Sequence, residues 1–164
     1  MSLLVHRSVR PAPVRRAWLV AICAALVLLV TLASTPVAGA DAGARVVFEV
    51  HRLRSDRGVV RGALFASSDG WTERGREIAT CEGEIHGGVA SCDLGALPPG
   101  RYAFAFLHDE DDDGELDRDR IGIPSEGFGF SNDASPQLGP PSFQTASFEH
   151  ERASTRVVHA RYGL

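Results

Sequence analysis

From residue 45 onward the apolar positions fall at every second residue in short runs, and no stretch sustains a 3.6-residue period. The chain therefore predicts strands and very little helix. Arg45 to Leu53 places Val46, Phe48 and Val50 on one face, and Ser55-Asp56-Arg57-Gly58 turns it into a second strand, Val59 to Ala66. Residues 67–77 are polar and hold Gly70 and Gly75, the pattern of a loop, with Trp71 set to pack over one end of the core. Between Cys81 and Leu94 an extended run breaks at a turn. A two-residue loop at His86-Gly87 would put Cys81 opposite Cys92, with Ile85, Ala90 and Leu94 on their face and Glu82, Glu84 and Asp93 on the other.

Leu97-Pro98-Pro99-Gly100 then turns the chain into Tyr102 to Leu107, where one face is aromatic and the other is Ala, Ala and Leu. A strand apolar on both faces belongs in the middle of a packed sheet. Residues 118–141 alternate glycine and proline and predict a long loop with no regular element, although Phe128 and Phe130 inside it argue against a solvated one. Two closing strands follow, around Phe143 to Glu149 and Thr155 to Tyr162. About seven strands without helices predict an all-β Greek-key β-sandwich, and Pro-Gly-x-Tyr before the central strand is similar to the tyrosine corner of such folds.

The first forty residues carry no acid. Arg7, Arg10, Arg15 and Arg16 precede an apolar run from Ala17 to Ala33, and Ala38-Gly39-Ala40 closes the segment. This is the pattern of a secretory signal peptide over residues 1–40, which makes 41–164 a single exported domain, periplasmic or secreted. The same run is near the lower length for a retained membrane anchor, so that alternative stays open. All 21 acids lie in 41–164 against 13 of the 17 basic residues, leaving −8. Such a surface argues against nucleic acid as a partner, because phosphate contacts need basic patches. Export also permits a Cys81–Cys92 disulfide.

The candidate chemistry starts where the central strand ends. From Asp109 to Asp117, seven of nine residues are acidic: Asp109, Asp111 and Asp113 alternate, Gly114 follows, and Glu115 and Asp117 complete the set. Alternate carboxylates before a glycine turn can converge on Ca²⁺, with the Glu115 carbonyl as a further ligand. This is not an EF-hand, because the twelfth position counted from Asp109 is Arg120 and no helices flank the loop. Other readings of the run are a solvated turn, or a Mg²⁺ or catalytic metal site. His108 is expected as a hydrogen-bonded core or rim residue, with a general base as its alternative. Glu126 is expected to cap loop N–H groups or to add a carboxylate to the cation site, with an acid/base role as its alternative.

Leu97-Pro98-Pro99-Gly100, His108-Asp109, Gly122-Ile123-Pro124, Gly129-Phe130-Ser131-Asn132 and Gly139-Pro140-Pro141-Ser142-Phe143 together resemble the DUF2141 family. The resemblance runs from about Val46 to Tyr162. It implies a small exported bacterial β-sandwich, immunoglobulin-like or transthyretin-like, with no assigned activity. Members of that family typically carry Asn where this chain has Asp111 and Asp113, so the loop here is the more anionic. The cysteine pair is not a feature of the family.

These readings combine into a non-enzymatic exported module that binds Ca²⁺ structurally and presents a surface, with Phe128 and Phe130 as its candidate residues, to an unknown envelope protein or glycan. The alternatives are a metal-assisted hydrolase using Asp109, Glu126 and His108, and a scaffold that needs no ion.

Overall fold

The structure is a computed structural model, and it describes residues 43–163. The signal-segment reading falls on residues 1–40, outside the described residues. Eight strands follow one another: β1 (Ala44–His51), β2 (Val59–Phe65), β3 (Ala79–His86), β4 (Val89–Leu97), β5 (Gly100–Asp109), β6 (Gly127–Phe130), β7 (Phe148–His150) and β8 (Ser154–His159). The only helical turns described are a 3-10 turn at Ser131–Asp133 and a single α turn, α1 (Phe143–Ala146), capped by the Ser142 hydroxyl accepting from Thr145 N–H. The expected strand from Phe143 therefore begins only at Phe148.

The strands form one sheet in the order β6-β5-β2-β3-β4-β1-β8, with β7 pairing the start of β5. Its two ends meet where Phe128 and Arg161 exchange backbone hydrogen bonds of 2.9 Å each. The result is a nearly closed, barrel-like sheet. The all-β expectation holds, but the strands do not resolve into the two separate layers of a Greek-key sandwich, because β3 pairs β2 along Ala79–Glu84 and β4 at Ile85–His86. The parallel pairing of β1 with β8 also lies outside a hairpin-by-hairpin reading.

The inside of the barrel is filled by alternate residues of the strands. Phe48 of β1 stacks on Phe104 of β5 with ring centroids 4.0 Å apart, and Phe148 meets Phe48 edge-on. Cys81 and Cys92 are joined at disulfide distance on this inner side, with Cα atoms 5.4 Å apart. The pairing is the expected one, but the register is not. The hairpin turns at Gly87-Gly88, since His86 pairs Val89. From the Ile85–Ala90 pair, four residues of β3 then run against two of β4 before the cysteines meet, the irregularity passing through Gly83, which lies against the Ser91 carbonyl. Asp56, in the β1–β2 connection, accepts from both turn N–H groups at 2.8 Å and fixes that turn. Tyr102 donates its hydroxyl to the Pro98 carbonyl at 2.9 Å, the bond the tyrosine corner requires.

A second apolar cluster covers the outer side of β2, β5 and β6. Trp71 stands edge-on to Phe65 and Phe143 and donates to the Pro141 carbonyl at 2.7 Å, so it packs over this outer cluster. Strand β6 sits inside the stretch expected to be irregular. Its outward residues are Phe128 and Phe130, both buried, and its inward residues are Gly127 and Gly129. A Cβ at Gly127 would fall 2.8 Å from the Tyr162 ring and one at Gly129 2.5 Å from Phe106, so glycine is what lets β6 lie so close. Ser131 ends the strand, its buried hydroxyl accepting from Phe104 N–H at 2.9 Å.

Candidate metal centre

Strand β5 delivers Asp109 fully buried at its last position, beside β2. The β1–β2 turn presses on the same point: at Gly58, φ is +66° and a Cβ would collide with the Asp109 carbonyl oxygen. A buried carboxylate is costly unless charge and donors compensate it. Arg61, two residues along β2 from Val59, the partner of Asp109, supplies the charge with Nε 2.6 Å from Oδ2. The N–H groups of Gly114 and Asp113 donate to the same carboxylate at 2.9 and 3.1 Å, which folds residues 109–114 into a tight turn with Gly114 at φ +80°. Burial works to raise the Asp109 carboxyl, but the Arg61 bond and the two N–H donors outweigh it and hold it below the usual carboxylate range.

The other acids of the run go separate ways. Glu110 turns back to Arg54 and Ser55, and the Arg54 bond, against the opposing effect of burial, holds its carboxyl down at about 2. Asp112 pairs with Arg61, which also reaches Glu82 at 2.6 Å. Asp113 uses a carboxylate oxygen to accept from Glu115 N–H at 2.7 Å. Asp111 is exposed.

The missing member arrives from the far end of the loop. Glu126 is buried just before β6, and its two oxygens accept from Glu110 N–H at 2.7 Å and Asp117 N–H at 3.2 Å. It therefore closes the 110–117 segment like a clasp, as expected of a cap, and it makes no ion pair with any described basic group. Oxygens of Asp109, Asp111 and Glu126 lie within 4.8 Å of one another, the one such cluster of His, Cys, Asp or Glu among the described residues. The predicted set is thus split. Asp109 and Asp111 converge, Glu126 joins them, and Asp113, Glu115 and Asp117 are not part of the cluster. Three carboxylates with two of them buried form an all-oxygen donor set that suits a hard cation such as Ca²⁺ and does not suit zinc.

His108 lies outside this cluster. It is fully buried on the inner side of β5, with Nδ1 2.7 Å from the Tyr162 hydroxyl and Nε2 2.9 Å from the Arg57 carbonyl. Arg54 and Arg61 were missed by sequence reasoning, since only the pairing of β2 with β5 and the return of the β1–β2 turn bring them here. Phe128 and Phe130, 6% and 8% exposed, form part of the floor of a cavity on the outer side of the sheet.

No curated protein and no solved structure matches this chain. A family model does match, over residues 48–158, a span that runs from within β1 to within β8 and takes in the whole acidic site. The chain belongs to that family, DUF2141, described as an uncharacterized protein conserved in bacteria.

Proposed function

We propose that the protein is an exported, non-enzymatic β module that binds Ca²⁺ at Asp109, Asp111 and Glu126 and presents a surface to a protein or glycan of the cell envelope. The observation that carries the ion is Glu126: a buried carboxylate from a distant segment, with no ion-pair partner among the described residues, beside two further carboxylates. Arg61 shares its one positive charge among Asp109, Asp112 and Glu82, so the cluster of Asp109, Asp111 and Glu126 stays net negative. A divalent ion there would neutralise it and fasten both ends of the 109–126 loop. Export rests on the basic, apolar and small-residue pattern of residues 1–40.

The test is a thermal melt of the purified chain in EDTA, in Ca²⁺ and in Mg²⁺. Ion binding to the folded state alone raises the midpoint by mass action. The expected result is a rise with millimolar Ca²⁺ that Asp111→Asn and Glu126→Gln abolish. Identical melts in all three conditions would overturn the calcium reading and leave the acids as a turn held by its own N–H groups and Arg61. A metal-assisted hydrolase would keep Asp109 and Glu126 but would need a base other than His108, whose ring nitrogens are both engaged. Turnover of a glycan or phosphoester, lost in Glu126→Gln with the fold intact, would favour that second reading.

A further inference from the structure

A second group of metal-ligating side chains, with no member in common with the acidic site, stands on the outer surface. Strands β1 and β8 run parallel, with His51 in register with His159 and Glu49 with Val157. Val46, Phe48, Val50 and Val158 fill the interior, so alternation puts Glu49 and His51 on the outer face of β1 and His159 next to them on β8. The two imidazole rings have centroids 6.1 Å apart, close to the roughly 5–6 Å of two histidines that share an ion at N–metal distances of about 2 Å. Glu49 Oε2 stands 3.4 Å from His51 Nε2, too far for a strong hydrogen bond. Both side chains are half-exposed, so an ion between the rings can gather them by side-chain rotation alone.

His159 is already oriented for such a role. Asp133 accepts its backbone N–H at 2.8 Å and its ring Nδ1–H at 2.7 Å. A carboxylate on Nδ1 keeps the proton there and leaves Nε2 of the neutral ring as a lone pair, the arrangement of a metal-binding histidine. The backbone is bent to deliver that carboxylate. Asn132 and Asp133 both have left-handed φ, +60° and +50°, which the surrounding structure must enforce. The Asn132 amide donates to the Thr145 and Ser147 carbonyls, and Arg161 donates to the Asp133 carbonyl. An N–H at a sheet edge needs only water; what the turn adds is the second oxygen, placed on the ring.

We propose that His51, His159 and Glu49 form a surface site for a divalent transition-metal ion of the zinc–copper class, with Asp133 as the positioning residue behind His159 and water at the remaining coordination positions. Two imidazole nitrogens and one carboxylate are a softer donor set than the three carboxylates around Asp109. They suit Zn²⁺ and Cu²⁺ where all-oxygen ligands suit Ca²⁺. The inference goes beyond the proposed function and does not depend on it.

The experiment is a calorimetric titration of the purified, untagged chain with ZnCl₂ and with CuCl₂ in millimolar Ca²⁺, so that a hard ion competes for the carboxylates of the acidic site. One ion per chain is expected, with copper bound more tightly than zinc. His51→Ala and His159→Ala should each weaken binding by about tenfold or more, with the fold unchanged by circular dichroism because both positions lie on the outer face. The electron paramagnetic resonance spectrum of the copper form should show two imidazole nitrogens in the parent and one in either variant. Asp133→Asn keeps an oxygen for the His159 N–H, so a role confined to the sheet edge would leave affinity unchanged; a positioning role predicts a loss of about tenfold. His86, exposed beside Glu84 at 3.6 Å but paired with Val89, is the control, and His86→Ala should change nothing. Binding retained in Glu126→Gln supports the histidine site even if the melts sink the calcium reading. The proposal is overturned by no saturation with either ion, by indifference to both histidine variants, or by an equal loss in His86→Ala. It is overturned too by loss in Glu126→Gln alone, or by one ion shared between two chains.

Discussion

On its inner side β5 carries Tyr102, Phe104, Phe106 and His108, which pack against side chains from other strands; on its outer side Ala103, Ala105 and Leu107 lie under loops, with Asp109 at the end. The inner side is large against large, as in Phe104 stacked on Phe48. The outer side is small, so that Trp71, Phe143 and the Phe128–Phe130 pair can come down onto it. Strands can fill an interior without gaps because their register is fixed by backbone ladders. Loops roof a surface piecemeal, and here they leave a groove on one part of it and gather three carboxylates at one end. The barrel interior is therefore the scaffold, and the candidate site lies on the other face of the same strand.

The sharpest way to break this contrast is Phe104→Ala. Removing a fully buried ring from the strand-closed side should cost ~3–5 kcal/mol, read as a lower urea midpoint with an unchanged slope. Next comes the disulfide, which ties β3 to β4 on the same side. Replacing Cys81 and Cys92 by serine should cost ~2–4 kcal/mol, and added reductant should reproduce the loss in the parent chain. On the outer side, Trp71→Ala should cost less, about 1–3 kcal/mol, because the ring is only half-buried. If it matched Phe104→Ala, the division between scaffold and roof would fail. The smallest effect is set by Glu110. Its carboxyl is held at about 2 when folded against an ordinary 4.5, so its contribution is complete above the ordinary value and fades as pH falls from about 4.5 toward 2. Melts at neutral pH and at about pH 3 should show the parent losing more stability on acidification than Glu110→Gln.

The same contrast explains what could be read from residues alone. Strands β1, β2 and β5 show in the alternation of Val46, Phe48 and Val50 and in the doubly apolar Tyr102–Leu107 run, because burial by strands imposes a period of two. Strand β6 does not show. Its inner positions must be glycine to admit Tyr162 and Phe106, and glycine reads as a loop signal. The cysteine pair was legible from charge and spacing, yet the turn lies one residue later than expected, since the Asp56 clamp that sets it comes from another connection. In the acidic site, alternation singled out Asp109 and Asp111, whose oxygens lie within 4.8 Å of each other and of Glu126. It could not show that Asp113 would spend its oxygen on a turn, or that Arg61 would arrive across the sheet. Glu126 was read as a cap or an added carboxylate, but its burial and its hold on Glu110 and Asp117 N–H show only in the fold.

Strand β8 lies parallel to β1, with Ser154 opposite Val46, although the two are separated by almost the whole length of the fold. A chain is made from its N-terminus, so β1 waits for its β8 partner until nearly everything after it has been synthesised. Closing so long a loop carries a large entropic penalty, and the ladder gives no return until it is closed. The β1–β8 ladder therefore cannot be completed until nearly the whole fold has been made, which makes it one of the longest-range pairings on which the cylinder depends.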